Sequence, residues 1–132
     1  MILLDTHALV WVATTPEALS RRARAAIERA SRGEGIAIAS VTLFELADHA
    51  WRGRLHTHLA LRHWLEELIR ATRVTVFEVT PEIAATAASL PRSGFPGDPM
   101  DRIIAATALV HDMALVTKDR RLLGSPVIRT IW

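Results

Sequence analysis

The chain has no cysteine. Disulfides and thiolate zinc sites are therefore excluded. Lysine is nearly absent: of the sixteen basic residues fifteen are arginine, and Lys118 is the single lysine. The opening MILLD carries no basic segment ahead of its apolar run and meets Asp5 at once, so a secretory signal is not expected. The longest early apolar run, Ala8 to Ala13, is too short to span a bilayer. A soluble, cytoplasmic protein with no membrane partner is the expectation. There is no internal repeat, low-complexity tract or linker. The net charge of +2 is too close to balance to argue for nucleic acid by itself. The arginine bias is nevertheless suited to phosphate, because a planar guanidinium binds two oxygens at once.

What is present is a chain of 132 residues, half of them apolar. That length predicts one domain, residues 1-132, able to bury a core without staples. The apolar share is high for this size, which leaves surface for a partner. Met1 to Leu4 reads as a buried strand and Thr6 to about Ala13 as a short helix. Thr15-Pro16-Glu17 reads as a helix start. Ser20 to Ser31 is a basic amphipathic helix, closed by Gly33 and Gly35. Ile36 to Ala39 reads as a second strand, followed by helices over Val41 to Arg52 and Leu59 to Ala71. Val74 to Val79 reads as a third strand, and Thr80-Pro81-Glu82 starts a helix that ends near Leu90-Pro91. The loop RSGFPG leads to a helix from Asp98 to about Asp112. Ala114 to Thr117 is a fourth strand, and Val127 to Ile131 a fifth at an edge. Short apolar strands alternating with helices imply βαβ units and a parallel sheet. Such sheets bind ligands at the carboxyl ends of their strands.

The acids fall where that rule directs attention. Asp5 directly follows the first strand. Asp119 stands two places beyond Thr117, and Glu45 lies in the first turns of the helix after the second strand. With right-handed crossovers these three share one sheet edge. Asp98 and Asp101 join them if the third strand is parallel; topology alone leaves this open. Each acid also has a local explanation. Asp98 before Pro99 is an N-cap, and Asp101 at N3 completes a capping box at the positive end of the helix. Glu45 is a helix residue one turn before His49, and Asp119 opens the turn TKDRRL. Asp5 is the hardest to explain locally, since a carboxylate against MILL is costly to desolvate without a partner.

Gathered at one edge, the carboxylates would repel and raise one another's pKa values, and a divalent cation relieves this. Oxygen ligands without thiolate or clustered histidine point to Mg²⁺ or Mn²⁺. The histidines at 49, 56, 58 and 63 fit no helix-face pair for zinc. The chemistry implied is metal-assisted phosphodiester hydrolysis.

The chain also carries LLDTHALVW at 3–11, LSRRARAAIERA at 19–30, FELADHAWRGRL at 44–55, LP at 90–91, DPMDRIIAATA at 98–108, LVTKD at 115–119 and a final IW. In this order and at these separations they resemble the PIN-domain ribonucleases of the VapC toxin type, found in bacterial and archaeal toxin–antitoxin pairs. The resemblance covers essentially the whole chain. It implies a PIN-like three-layer α/β/α sandwich with a central, mostly parallel sheet of four to five strands. Residue by residue, it makes Asp5, Glu45, Asp101 and Asp119 the acidic set, with Asp5 and Asp101 expected as principal metal ligands, Glu45 and Asp119 acting through water or on a second ion, and Asp98 a less essential acid left as the cap. Thr6 and Thr117 match hydroxyls that help order the site, and Arg102 is expected to form a structural ion pair near the acids. The resemblance further implies an RNA substrate, a homodimer, and a small VapB-type antitoxin whose tail lies in the catalytic groove and offers arginine to the acids. Two departures, GFPG before the DP pair and Phe44 for a commoner tryptophan, bear on substrate positioning.

Two other readings stay open on the sequence. A phosphotransfer domain also places an Asp after its first strand. However, a haloacid dehalogenase needs a second Asp where His7 stands, and a receiver needs an acid pair that is missing. A non-catalytic, arginine-rich RNA-binding module would bind RNA indifferently to Mg²⁺.

Overall fold

The computed structural model describes all 132 residues. Its elements run β1 (Ile2–Leu4), α1 (Thr6–Thr14), a 3-10 turn (Pro16–Ala18), α2 (Arg21–Arg32), β2 (Ile36–Ala39), α3 (Val41–Trp51), α4 (Leu61–Thr72), β3 (Thr75–Phe77), α5 (Pro81–Ser89), α6 (Pro99–Val110), β4 (Ala114–Val116), α7 (Arg120–Leu123) and β5 (Thr130–Ile131). The strands form one sheet in the order β3-β2-β1-β4-β5. Every neighbouring pair is parallel. The condition that left Asp98 and Asp101 open, a parallel third strand, is met.

The short strands sort their side chains by parity, because successive residues point to opposite faces. In β2, with the sequence IAIA, Ile36 and Ile38 join Leu4 and Val116 against α1, α2 and Leu46 of α3. Ala37 and Ala39 join Leu3 and Leu115 against α5 and α6. The sheet is thus covered on both faces, which a parallel sheet requires. The alanine face of β2 meets an alanine-rich helix. Six residues of α6, from Arg102 through Ala108, are buried. Small side chains on both partners let backbone approach backbone.

The strands β3 and β5 are shorter than expected. Phe77 pairs with Ala39, where β2 ends, so Glu78 and Val79 have no strand to continue beside. β5 pairs only through Leu115–Thr130 and Val116–Ile131, limited by the three residues of β4. The stretch TKDRRL runs into a four-residue helix, α7, capped by Asp119. Of the two glycines expected to close α2, only Gly35 takes a left-handed backbone, at φ +96°. No helix is long and apolar enough to cross a membrane.

From β1 the chain moves outward to β2 and β3, then returns past β1 to form β4 and β5. The crevice between the carboxyl ends of β1 and β4 is where strand order reverses, the usual position of a ligand site in an open α/β sheet.

Candidate active site

Asp5 stands at that crevice. Its backbone N–H donates to the Val116 carbonyl at 3.1 Å, which ties it to the end of β4. Its carboxylate Oδ1 accepts from the Ala8 N–H at 2.6 Å and so caps α1. Burial pushes the Asp5 carboxyl above the ordinary carboxylate range, and the Thr117 hydroxyl and the Ala8 N–H only partly oppose it. The acid hardest to explain locally thus has a cap role as well.

The neighbouring side chains come from four further elements. Thr6, buried at the start of α1, donates its hydroxyl to Glu45 Oε2 across to α3. Burial raises the Glu45 carboxyl, with the Thr6 bond working against it. Thr117 is fully buried after β4, and its hydroxyl accepts from the Asp119 N–H at 3.0 Å. Asp119 caps α7 and is clasped by Arg121, whose Nη2 lies 3.1 Å from Oδ2. Burial would raise the Asp119 carboxyl, but the hydrogen bonds and charge of Arg121 hold it below the ordinary value.

At the mouth of α6, Asp98 caps the helix, its Oδ1 accepting from Met100 N–H at 2.8 Å and Asp101 N–H at 3.4 Å. Capping is not its only placement. Carboxylate oxygens of Glu45, Asp98 and Asp101 all lie within 4.8 Å of one another. Asp101 is pushed up to about 6, first by burial and then by the charges of Asp98, Glu45 and Asp119. Asp5, Thr6, Glu45, Asp101, Thr117 and Asp119 line one cleft of about 420 Å³. All four acids of the expected set therefore share a wall. Glu45 and Asp101 form the tight group with Asp98, while Asp5 and Asp119 stand outside that group along the cleft.

This donor set suits a hard divalent cation. The oxygens are carboxylate, no thiolate exists in the chain, and no imidazole enters the close group. Like charges held together with raised pKa values are what a cation of opposite charge relieves.

One expectation is corrected. Arg102 forms no ion pair with the acids. It is buried, and its guanidinium donates to backbone carbonyls: Nε to Ala87 at 3.1 Å, Nη2 to Leu90 at 2.7 Å, and Nη1 to Pro91 at 3.0 Å and Pro96 at 3.3 Å. The acids lie on the cleft side of α6, whereas Arg102, one residue on, points into the loop behind it. The basic helix α2 lies outside the cleft lining and packs through Ala23 and Ile27 on the sheet.

The cleft has further members that no reading of the acids revealed: His7, Trp11, Lys118 and Arg121. The first two lie within LLDTHALVW and the third within LVTKD. Only the fold shows that they face the acids.

Residues 2–124 match the model of the PIN domain family. Ribonuclease VapC22 of Mycobacterium tuberculosis is 44% identical over 133 residues, covering 99% of this chain and 98% of that protein. The crystal structure of VapBC2 from Rickettsia felis bound to a DNA fragment from its promoter superposes with a TM-score of 0.72 at 18% identity, over 98% of this chain and 97% of that one. VapBC-1 from nontypeable Haemophilus influenzae superposes with a TM-score of 0.68 at 19% identity, over 98% and 96%. At such identities the two structures speak for the fold.

Proposed function

The chain belongs to the PIN-domain family, and from this premise we propose that it is a divalent-metal-dependent endoribonuclease, the toxin of a toxin–antitoxin pair. The observation that carries the reading is the convergence of Asp5, Glu45, Asp101 and Asp119 on one cleft at the switch point of the sheet. The 44% identity to a named ribonuclease over nearly the full length supports it.

In this reading Asp101 and Asp5 are the principal ligands of Mg²⁺ or Mn²⁺. Glu45 and Asp119 complete the site through water or a second ion, and Asp98 adds its charge to the Glu45–Asp101 group while capping α6. A cation held by these acids would supply charge neutralisation for the phosphate and make water a stronger nucleophile. The chain's own residues do the positioning. Thr6 fixes Glu45 by its hydroxyl bond. Thr117 holds the Asp119 backbone and stands against Asp5. An acid of the cleft orients the attacking water. In the net reaction the water oxygen bonds to phosphorus and one P–O ester bond breaks. One fragment keeps the phosphate and the other leaves with a hydroxyl, the water's protons going to the leaving oxygen and to solvent.

Partners follow from the same reading: RNA as substrate, a second copy of the chain, and a VapB-type antitoxin. The exposed apolar side chains of Phe44, Trp51 and Leu59 are surface of the kind that partners cover. Two solved neighbours bear the names of VapBC assemblies.

The test is cleavage of single-stranded RNA with Mg²⁺ or Mn²⁺, with chelator as control, by the wild type and by Asp5→Asn and Asp101→Asn. The expected result is metal-dependent cleavage, reduced more than about 100-fold in either variant, beyond the ~10–100-fold typical of groups that only orient a ligand. Undiminished cleavage by Asp101→Asn, with contaminating nuclease excluded, would refute the assignment.

A further inference from the structure

One wall of the cleft differs in chemistry from the acids. Trp11 is the only apolar residue among those lining it. The indole of Trp132 backs it, with ring centroids 5.4 Å apart and planes tilted by 53°. The exposed imidazole of His7 flanks it at 5.9 Å. The ammonium of Lys118 sits over both indoles, 5.7 Å from the Trp11 centroid and 5.8 Å from that of Trp132. Lys118 is exposed and forms no ion pair, although Asp119 is its sequence neighbour; Arg121 takes that carboxylate instead.

Trp11 packs on the core and against Trp132 yet still lines the polar cleft, and the Lys118 ammonium rests on the two indoles with no carboxylate partner although four acids stand nearby. Both have a reason if the ligand is a single-stranded nucleic acid. Such strands are bound by aromatic faces that stack bases and cations that meet phosphates. The cation–π contact is weak at an exposed site, and the lysine arm is flexible. The ammonium can therefore exchange indole for phosphate and leave the ring free for a base.

We propose that Trp11 and Lys118, backed by Trp132, form a nucleotide subsite beside the acidic centre. Trp11 stacks the base, and Lys118 pairs with the phosphate, of a nucleotide flanking the cleaved bond. The subsite rests on the ribonuclease reading and deepens it: the substrate is a single strand at the point of cutting, gripped on one side of the scissile phosphate. The acids position the reacting phosphate, and the indole with its cation sets which neighbouring nucleotide is accepted.

The test separates binding from cleavage. A labelled single-stranded oligoribonucleotide is titrated against the Asp101→Asn protein, alone and with Lys118→Gln, Trp11→Leu or Trp11→Phe added, over a range of salt. The same three changes are made in the wild type to read KM and kcat. Expected are an affinity loss of roughly five- to a hundred-fold for Trp11→Leu, the range of one base stack, and substantial rescue by Trp11→Phe. For Lys118→Gln the slope of log affinity against log salt becomes shallower by about 0.7, as for one lost phosphate contact on a single strand. In the cleaving proteins KM rises and kcat changes little. A wild type that cleaves RNA while Lys118→Gln keeps its salt slope and a folded Trp11→Leu keeps its affinity overturns the subsite alone. If Trp11→Leu fails to fold, the Lys118→Gln slope decides. A wild type that neither binds nor cuts RNA overturns the ribonuclease reading and the subsite with it.

Discussion

At the scale of single residues, the site is built from side chains that each do two things. Asp5, Asp98 and Asp119 all cap helices, and all point toward the cleft or its edge. The helix ends thus solve part of the electrostatic problem the acids create, since N–H groups at a helix start favour a negative charge. They do not solve all of it. Asp101 is pushed up to about 6, by burial first and then by Asp98, Glu45 and Asp119. A carboxyl that holds its proton more tightly folded than unfolded stabilises the fold at low pH. That contribution is complete below the unfolded value near 4 and is lost as pH rises through about 6. In chelator, Asp101→Asn should therefore gain in melting temperature over the wild type as pH rises from about 4 to 6, then keep a constant lead. Scanning calorimetry across that window checks this; a difference that does not change with pH would contradict it. The sign reverses for metal, because ligands must be deprotonated to bind it, so cation affinity should climb over the same window.

At the scale of elements, what positions α6 is Arg102. Its guanidinium reaches back across the loop before the helix and holds four carbonyls, those of Ala87, Leu90, Pro91 and Pro96. The loop RSGFPG is thereby pinned, and with it the start of the helix that carries Asp98 and Asp101. Removing the side chain orphans several buried acceptors at about 1–3 kcal/mol each. Arg102→Ala should lose more than about 3 kcal/mol in a denaturant titration, and Arg102→Lys should rescue little, because a compact ammonium lacks the planar fork. A loss under about 1 kcal/mol for Arg102→Ala would show that the loop holds itself. This is also where the sequence stopped being legible. The acceptors lie 6 to 15 residues away from Arg102 and are backbone atoms, so no side-chain pattern announces them, and an acid partner was the natural but wrong expectation. The strands and long helices were legible because apolar runs and caps are local: Ser20, Thr80 and Asp98 cap the helices they precede. The ends of β3 and β5 were not, since a strand stops where its neighbour does. The helix α7 was missed because four residues are too few to show a period.

At the scale of the molecule, the fold turns scattered residues into one site by reversing strand order between β1 and β4. Asp5 and Asp119 follow the two strands that flank the reversal, Glu45 comes from the helix after β2, and Asp101 from the helix that feeds β4. Their positions after strands were readable from the sequence. That Asp98 would stand beside Glu45 and Asp101, and that Trp11, Lys118 and Arg121 would share the wall, required the three-dimensional arrangement. The central claim is that these distant acids build one divalent-cation site. Mn²⁺ binding to the wild type, Asp5→Asn and Asp101→Asn at pH 7.5–8 (about two pH units above where Asp101 titrates), followed by electron paramagnetic resonance, tests it most directly. The wild type should bind the ion, and each variant should weaken binding at least about ten-fold while keeping its fold. Unchanged Mn²⁺ affinity in a folded Asp101→Asn would contradict the account.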